Sequence, residues 1–185
     1  MKAVEPEKIV AETQAWIEKA VIGLDLCPFT KAVYIKKQIR YAISQAETSE
    51  ALLADLVGEL RTLTAADPED IETTLLIHPW VFTEFLDYND FLDIADAAVA
   101  DLGFAGEIQV ASFHPLYQFT GTEPDDITNY TNRSPYPMLH LLREASVERA
   151  VESFPDTARI YEKNIKTLRR LGHEGWRRLG LRTPS

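Results

Sequence analysis

Residues Thr73 to Ile77 read Thr-Thr-Leu-Leu-Ile and run directly into His78-Pro79. The five residues show no alternation of polar and apolar side chains, which is typical of a strand buried on both faces. Amphipathic helical patterns lie on either side, with apolar stripes from Leu52 to Leu63 and from Phe85 to Leu102. Because a helix between two strands usually makes a crossover to a parallel neighbour, this stretch predicts the central strand of an α/β fold.

Two further strands complete the predicted sheet. Residues Ile35 to Ile43 alternate with one lapse at Lys37, and Ile108 to Phe113 form a third short run. The order is α-β-α-β-α-β-loop-α-α. We therefore expect a small parallel or mostly parallel three-stranded sheet flanked by helices, with two C-terminal helices. The predicted helices run from Glu5 to Val21, from a cap at Thr48 or Ser49 to Asp67, from about Asp87 to Leu102, from Ser134 to Val151 and from Phe154 to Leu171.

Length and composition limit the class of protein. The chain has 185 residues, of which 45% are hydrophobic and 26% charged, so we expect one globular domain spanning residues 1–185. A single cysteine excludes an internal disulfide and a four-cysteine zinc site. No apolar run approaches the roughly 20 residues that cross a bilayer, and the N-terminus has no secretion signal. We expect a cytoplasmic protein with no membrane partner.

Charge is unevenly distributed along a chain whose net charge is −10. Residues 47–101 contain 14 acidic side chains and one basic one, whereas residues 156–185 contain eight basic and three acidic ones. The basic segment either forms the solvated face of a C-terminal helix or pairs with the acidic middle. Nucleic acid is not an expected partner, because the overall charge repels phosphate at long range.

Two of the four histidines follow predicted strands directly. His78 and His114 each precede a proline, at the strand ends where ligands bind in open parallel sheets. Adjacent parallel strands would place their backbones about 5 Å apart, and one intervening strand would place them about 10 Å apart. Cys27, the only thiol, would cap a helical turn that begins at Pro28. We interpret Cys27, His78 and His114 as candidate catalytic residues, although two strand-end histidines bonded to backbone carbonyls and a buried cysteine would give the same pattern.

A long loop from Leu116 to Ser134 contains the candidate substrate-binding residues. Arg133 would stand beside the N-terminus of the helix predicted from Ser134, and the two together would hold a carboxylate or phosphate group. A structural ion pair of Arg133 is the alternative. We expect the loop to be ordered around the pocket. The further candidates in or near it are Tyr117, Gln118, Thr122 and Asn132.

Four stretches resemble the bacterial proteins grouped as domain of unknown function 1415. They are Ile22 to Phe29, Leu76 to Pro79, Val110 to Phe119 and Thr131 to Ala145. The pattern departs at Leu116, where a polar residue is expected. The resemblance covers nearly the whole chain and implies a bacterial, cytosolic protein. It implies no activity.

Three functions remain open, and the sequence leaves undecided whether the protein is an enzyme. The first is a hydrolase or group transferase acting on a small anionic metabolite through Cys27, His78, His114 and Arg133. The second is a mononuclear zinc or iron site in which Cys27, His78 and His114 are the ligands. The third is a non-catalytic ligand-binding or interaction module. In this module the loop from Leu116 to Pro137 would recognise a peptide or metabolite, the histidines would only shape the rim, and the basic C-terminal segment would be the partner surface. The chain contains no P-loop, no His-Glu-x-x-His pair and no Gly-x-Ser-x-Gly elbow.

Overall fold

The computed structural model describes residues 5–154 and 156–184. Pro155, expected at the start of the last helix, and residues 1–4, in the region where no secretion signal is expected, lie outside the described residues. In chain order the elements are α1 (Pro6–Trp16), a π-helix (Ile17–Ile22), α2 (Thr30–Ile35), β1 (Ile39–Ile43), α3 (Ser49–Ala65), β2 (Thr73–Ile77), α4 (Phe85–Asp101), β3 (Ile108–Phe113), a 3-10 helix (Ile127–Thr131), β4 (Met138–Arg143), α5 (Glu144–Ser153) and α6 (Thr157–Arg178).

The sheet has four strands in the order β1-β2-β4-β3. β1 pairs with β2 in parallel, and β4 pairs with both β2 and β3 in antiparallel orientation. β1, β2 and β3 therefore run in one direction, as the sequence predicts. The fold is a mixed α/β fold, but the prediction of three parallel strands is wrong in one respect, since β4 lies between β2 and β3 and opposes both.

β4 falls where the sequence predicts a helix from Ser134 to Val151. Residues Met138 to Arg143 form the strand, and the helix begins only at Glu144. β4 has neighbours on both sides and is largely buried, so its sequence is mostly apolar, with His140 and Arg143 as the polar residues, and does not alternate. A short apolar run of this kind cannot be distinguished from a buried helix by periodicity. The prediction of a helix over all six residues of β4 is wrong for that reason.

β1 begins later than predicted. Residues Thr30 to Ile35 form α2, and the chain then turns at Lys37, whose φ of 58° lies in the left-handed region. The lapse in alternation at Lys37 therefore marks this turn rather than an irregular strand. β2 matches its prediction, since all five of its residues are buried.

Helices cover both faces of the sheet. α3 and α4 pack on one face, where Leu52, Leu56 and Phe91 join Leu76 of β2 in one core. Each fully buried leucine contributes about 2 kcal/mol from the removal of apolar surface from water. Thr48 caps α3 as predicted, because its Oγ1 accepts a hydrogen bond of 3.2 Å from the amide of Ala51.

The second core lies on the opposite face. It joins Trp16 of α1, Ile77 of β2, and Leu168 and Trp176 of α6. α6 continues past its predicted end at Leu171, although Gly172 breaks the helical geometry with a φ of 66°. Among the described residues no helix has the length and apolarity that a bilayer span needs.

Candidate functional site

His78 and His114 lie at the ends of β2 and β3, on the side of the sheet that α4 covers. The ring of Tyr88, from α4, stands between them. Its centroid is 5.7 Å from that of His78 and 5.0 Å from that of His114. All three residues are completely buried. The structure therefore brings the two predicted histidines into one cluster, and the Tyr88 ring fills the space between them.

The Tyr88 hydroxyl links α4 to the ends of two strands. It donates a hydrogen bond of 2.8 Å to the carbonyl of Met138 and accepts one of 3.1 Å from the amide of Phe113. The hydroxyl thus stands between backbone groups of β3 and β4, where β3 ends and β4 begins. Burial raises the pKa of Tyr88 far above its ordinary value, so the residue remains a neutral phenol.

Both ring nitrogens of His114 are engaged by the backbone. Nδ1 accepts from the amide of Leu116 at 3.0 Å, so Nε2 carries the proton and donates to the carbonyl of Phe82, also at 3.0 Å. Burial lowers the pKa of His114 to about 4, and the charge of Arg133 contributes in the same direction. His114 is therefore a neutral imidazole that fixes the segment after β3 to the segment after β2.

His78 differs in having one free ring nitrogen. Nδ1 lies 3.0 Å from the carbonyl of Val81 and must donate to it, which leaves Nε2 as an acceptor. This Nε2 has no hydrogen-bond partner among the described residues and no exposure to solvent. Burial lowers the pKa of His78 to about 4. The basic nitrogen exists, but in this conformation no substrate reaches it.

Cys27 packs on the other core. It is partly buried beside the apolar cluster of α1, the π-helix and α6, whereas His78 faces the cluster of α3 and α4. Phe29, not Cys27, is the residue that precedes α2. Within the described residues no group of three or more His, Cys, Asp or Glu side chains is placed to hold a metal ion. The zinc or iron site predicted from Cys27, His78 and His114 is therefore not formed.

Arg133 binds backbone carbonyls of its own loop and does not stand beside a helix N-terminus. Its Nε donates to the carbonyl of Tyr117 at 3.1 Å, its Nη2 donates to the carbonyl of Pro124, and its guanidinium lies 4.5 Å from the ring centroid of Tyr130. The helix expected to begin at Ser134 does not exist, and the Ser134 hydroxyl donates to the carbonyl of Tyr136. The anion clamp predicted at Arg133 thus lacks its second component.

The loop from Leu116 to Ser134 is held by hydrogen bonds within itself, with buried Asn129 at its centre. The Asn129 side chain accepts from the amide of Phe119 and from the Thr122 hydroxyl, and it donates to the carbonyl of Glu123. The other predicted binding residues also make their hydrogen bonds or ring contacts within the protein. Gln118 donates to the carbonyl of Thr122, Asn132 donates to that of Ser112, and the ring of Tyr117 packs against Phe85 and Phe119.

The basic residues of α6 form an exposed surface within the basic C-terminal segment. Arg159, Lys163, Lys166 and Arg170 recur at helical spacing and line a groove of about 550 Å³, together with Glu162 and Thr167. Arg159 pairs with Asp156 and Lys163 pairs with Asp25. Lys166 and Arg170 are exposed and make no ion pair with any described residue. The groove therefore has two cationic groups with no internal partner.

The acidic and basic parts of the chain lie on opposite faces of the sheet. α4 carries five aspartates and no basic residue, whereas α6 carries seven arginines and lysines against two glutamates. α4 covers the face of the first core and α6 that of the second. In the part of the chain that the structure describes, no ion pair joins α6 to residues 47–101. The expectation that the basic segment pairs with the acidic middle is thus wrong, because the sheet separates them.

Comparison with known proteins identifies the family but no activity. A family model described as "Protein of unknown function (DUF1415)" matches residues 8–178 of the 185, so the chain belongs to this family. No curated protein matches the chain. No solved structure matches it either.

Proposed function

We propose that this member of the DUF1415 family is a non-catalytic binding module that takes a small anionic molecule along the basic groove of α6. The observation that carries the proposal is the row of four cationic side chains on one helix face, of which Lys166 and Arg170 have no partner among the described residues. Arginine offers a planar fork to carboxylate or phosphate oxygens, and lysine adds a mobile point charge.

The contacts of the two histidines favour binding over the hydrolase or transferase that the sequence suggests. Both nitrogens of His114 are bonded to the backbone, and Nε2 of His78 is sealed inside the core. A general acid or base must come within hydrogen-bond reach of the proton that it transfers. Neither imidazole meets this condition in the described conformation, whereas the α6 groove is open to solvent.

Titration calorimetry with inorganic pyrophosphate at an ionic strength of about 0.15 M, where the Debye length is about 8 Å, tests the proposal. Arg170→Gln removes an unpaired cation inside the groove, and Arg177→Gln removes one from the same helix outside it. Loss of a charge-assisted contact should weaken binding about tenfold in the Arg170 variant. The control should stay within about twofold, since an exposed charge more than a Debye length away is largely screened.

Equal effects of the two substitutions would refute the groove as the site, because they would show that only the overall charge of α6 matters. Absence of pyrophosphate binding to the unmodified protein, together with absence of citrate binding, would refute the module itself.

A further inference from the structure

A second groove adjoins the first at the N-terminal end of α6. It has a volume of about 420 Å³, and its lining includes the apolar side chains of Pro28, Phe154 and Ile160. Phe154 leaves 48% of its surface exposed and packs edge-on against Phe29, with ring centroids 5.4 Å apart. An exposed aromatic side chain beside a proline and an isoleucine gives apolar surface that a ligand can cover.

The two grooves share Arg159 and Lys163 in their linings. From the continuity of the apolar and basic linings, we infer that the ligand is a soluble amphiphilic anion, with an apolar tail in the Phe154 groove and an anionic head against Lys166 and Arg170. This inference rests on the proposed function and specifies the chemical class of its ligand.

Acidic side chains determine which end of the combined site can accept the anionic head of the ligand. Asp25 and Asp156 line the apolar groove, where they repel a negative head group. The same two carboxylates already pair with Lys163 and Arg159, so the cations at the junction are partly neutralised. The unpaired cations lie further along the helix. An anionic head is therefore attracted to the Lys166 end, and only the tail is compatible with the other.

The length of the site follows from helix geometry. Ile160 and Lys166 are six residues apart, and Ile160 and Arg170 are ten apart, which corresponds to about 9 and 15 Å along the axis. A ligand must span this distance to reach both ends. A compact inorganic anion can occupy only the basic end, whereas an extended alkyl chain with a terminal phosphate can occupy both.

A homologous series of alkyl phosphates tests the inference. Methyl, butyl, hexyl and octyl phosphate are titrated below their micelle-forming concentrations, with inorganic pyrophosphate as the tail-free probe. Full burial of a methylene is worth about fourfold in Kd, so partial burial in an open groove should give about twofold for each added carbon. The increase should stop when the chain outgrows the groove.

Two variants separate tail binding from head binding. Phe154→Ser should abolish the dependence on chain length while leaving pyrophosphate affinity within about twofold. Val151→Ser removes another exposed apolar side chain, which does not line the groove, and should leave the dependence unchanged. Both residues are exposed enough that these substitutions leave the core intact.

Each outcome decides between the two proposals. Pyrophosphate binding with no dependence on chain length would overturn the amphiphile and leave the anion-binding module standing. Failure of both probes would overturn both. Binding to phosphatidylglycerol vesicles without binding of monomeric octyl phosphate would also overturn the inference, because it would identify a membrane surface rather than a soluble amphiphile as the ligand.

Discussion

Mild acid should destabilise this fold through His78 and His114. Both imidazoles are fully buried, and burial lowers the pKa of each from 6.5 to about 4. In the unfolded chain both return to ordinary values near 6.5. The folded protein therefore holds the two rings neutral over a pH range in which the unfolded chain protonates them.

The sign and size of the effect follow from this difference. Since the folded pKa values lie below the unfolded ones, stability is complete above about pH 7 and is lost as the pH falls toward 4. At about pH 5 the unfolded imidazoles are almost fully protonated and the folded ones almost wholly neutral. This difference lowers the free energy of unfolding by about 2 kcal/mol for each histidine. Together they remove about 4 kcal/mol, and His140, whose pKa burial also lowers to about 4, removes an amount comparable to either of them, from a total that is typically 5–15 kcal/mol.

Urea unfolding at about pH 7.5 and pH 5 measures the difference. Few carboxylates titrate in this interval, so the imidazoles dominate it. His78→Gln will lower stability at both pH values, because a packed ring is lost. The informative quantity is the change between the two pH values, which should shrink by about 2 kcal/mol in this variant. His173→Gln, which removes an exposed imidazole, is the matched control.

An unchanged free energy of unfolding between the two pH values would refute the reasoning, since it would mean that the folded protein admits protons to these rings. A pH difference in His78→Gln as large as in the parent protein would locate the effect elsewhere.

Two further substitutions test the contacts around the strand ends. Tyr88→Phe leaves the Phe113 amide and the Met138 carbonyl without their shared partner, so it should cost about 2–4 kcal/mol in urea unfolding, whereas Tyr161→Phe at an exposed position should cost less than about 0.5. A small effect of Tyr88→Phe would mean that the Phe113 amide and the Met138 carbonyl bond to each other once the hydroxyl is removed. Arg133→Lys cannot keep both carbonyls and the Tyr130 ring, so amide exchange across residues 116–134 should accelerate about tenfold while global stability changes by less than about 1 kcal/mol. Unaltered exchange in the loop would show that Asn129 alone orders it.

The sequence predicts the direction of three strands and the location of both histidines, because these depend on local patterns. A short strand of buried residues followed by His-Pro can be recognised from neighbouring residues alone. β4 cannot be predicted in this way. Its apolar residues are explained only by β2 and β3, which pair with it on either side. The error then extended to Arg133, whose expected function depended on a helix beginning at Ser134.

Tyr88 and Arg143 show a second limit of sequence analysis. Tyr88 lies in the predicted apolar stripe of α4, and the one available sign of a further role is the rule that a buried tyrosine hydroxyl usually needs a hydrogen-bond partner. Arg143 donates from one nitrogen to the carbonyls of Leu63, Ala66 and Ile71, and so joins β4 to the end of α3 and the start of β2. Its partners are more than 70 residues away, and no spacing rule connects them.

We propose the ligand site on α6 rather than at the strand ends because of how the strand ends are filled. Open parallel sheets bind ligands in the crevice where neighbouring crossovers diverge. Here β4 occupies the space between β2 and β3, and Tyr88 fills the end of that space with its ring and hydroxyl. The basic surface on which the proposal rests lies on α6, which covers the opposite face of the sheet. The sheet also isolates that helix from the aspartates of α4, so its positive charge remains available to an anion at short range despite the net charge of −10.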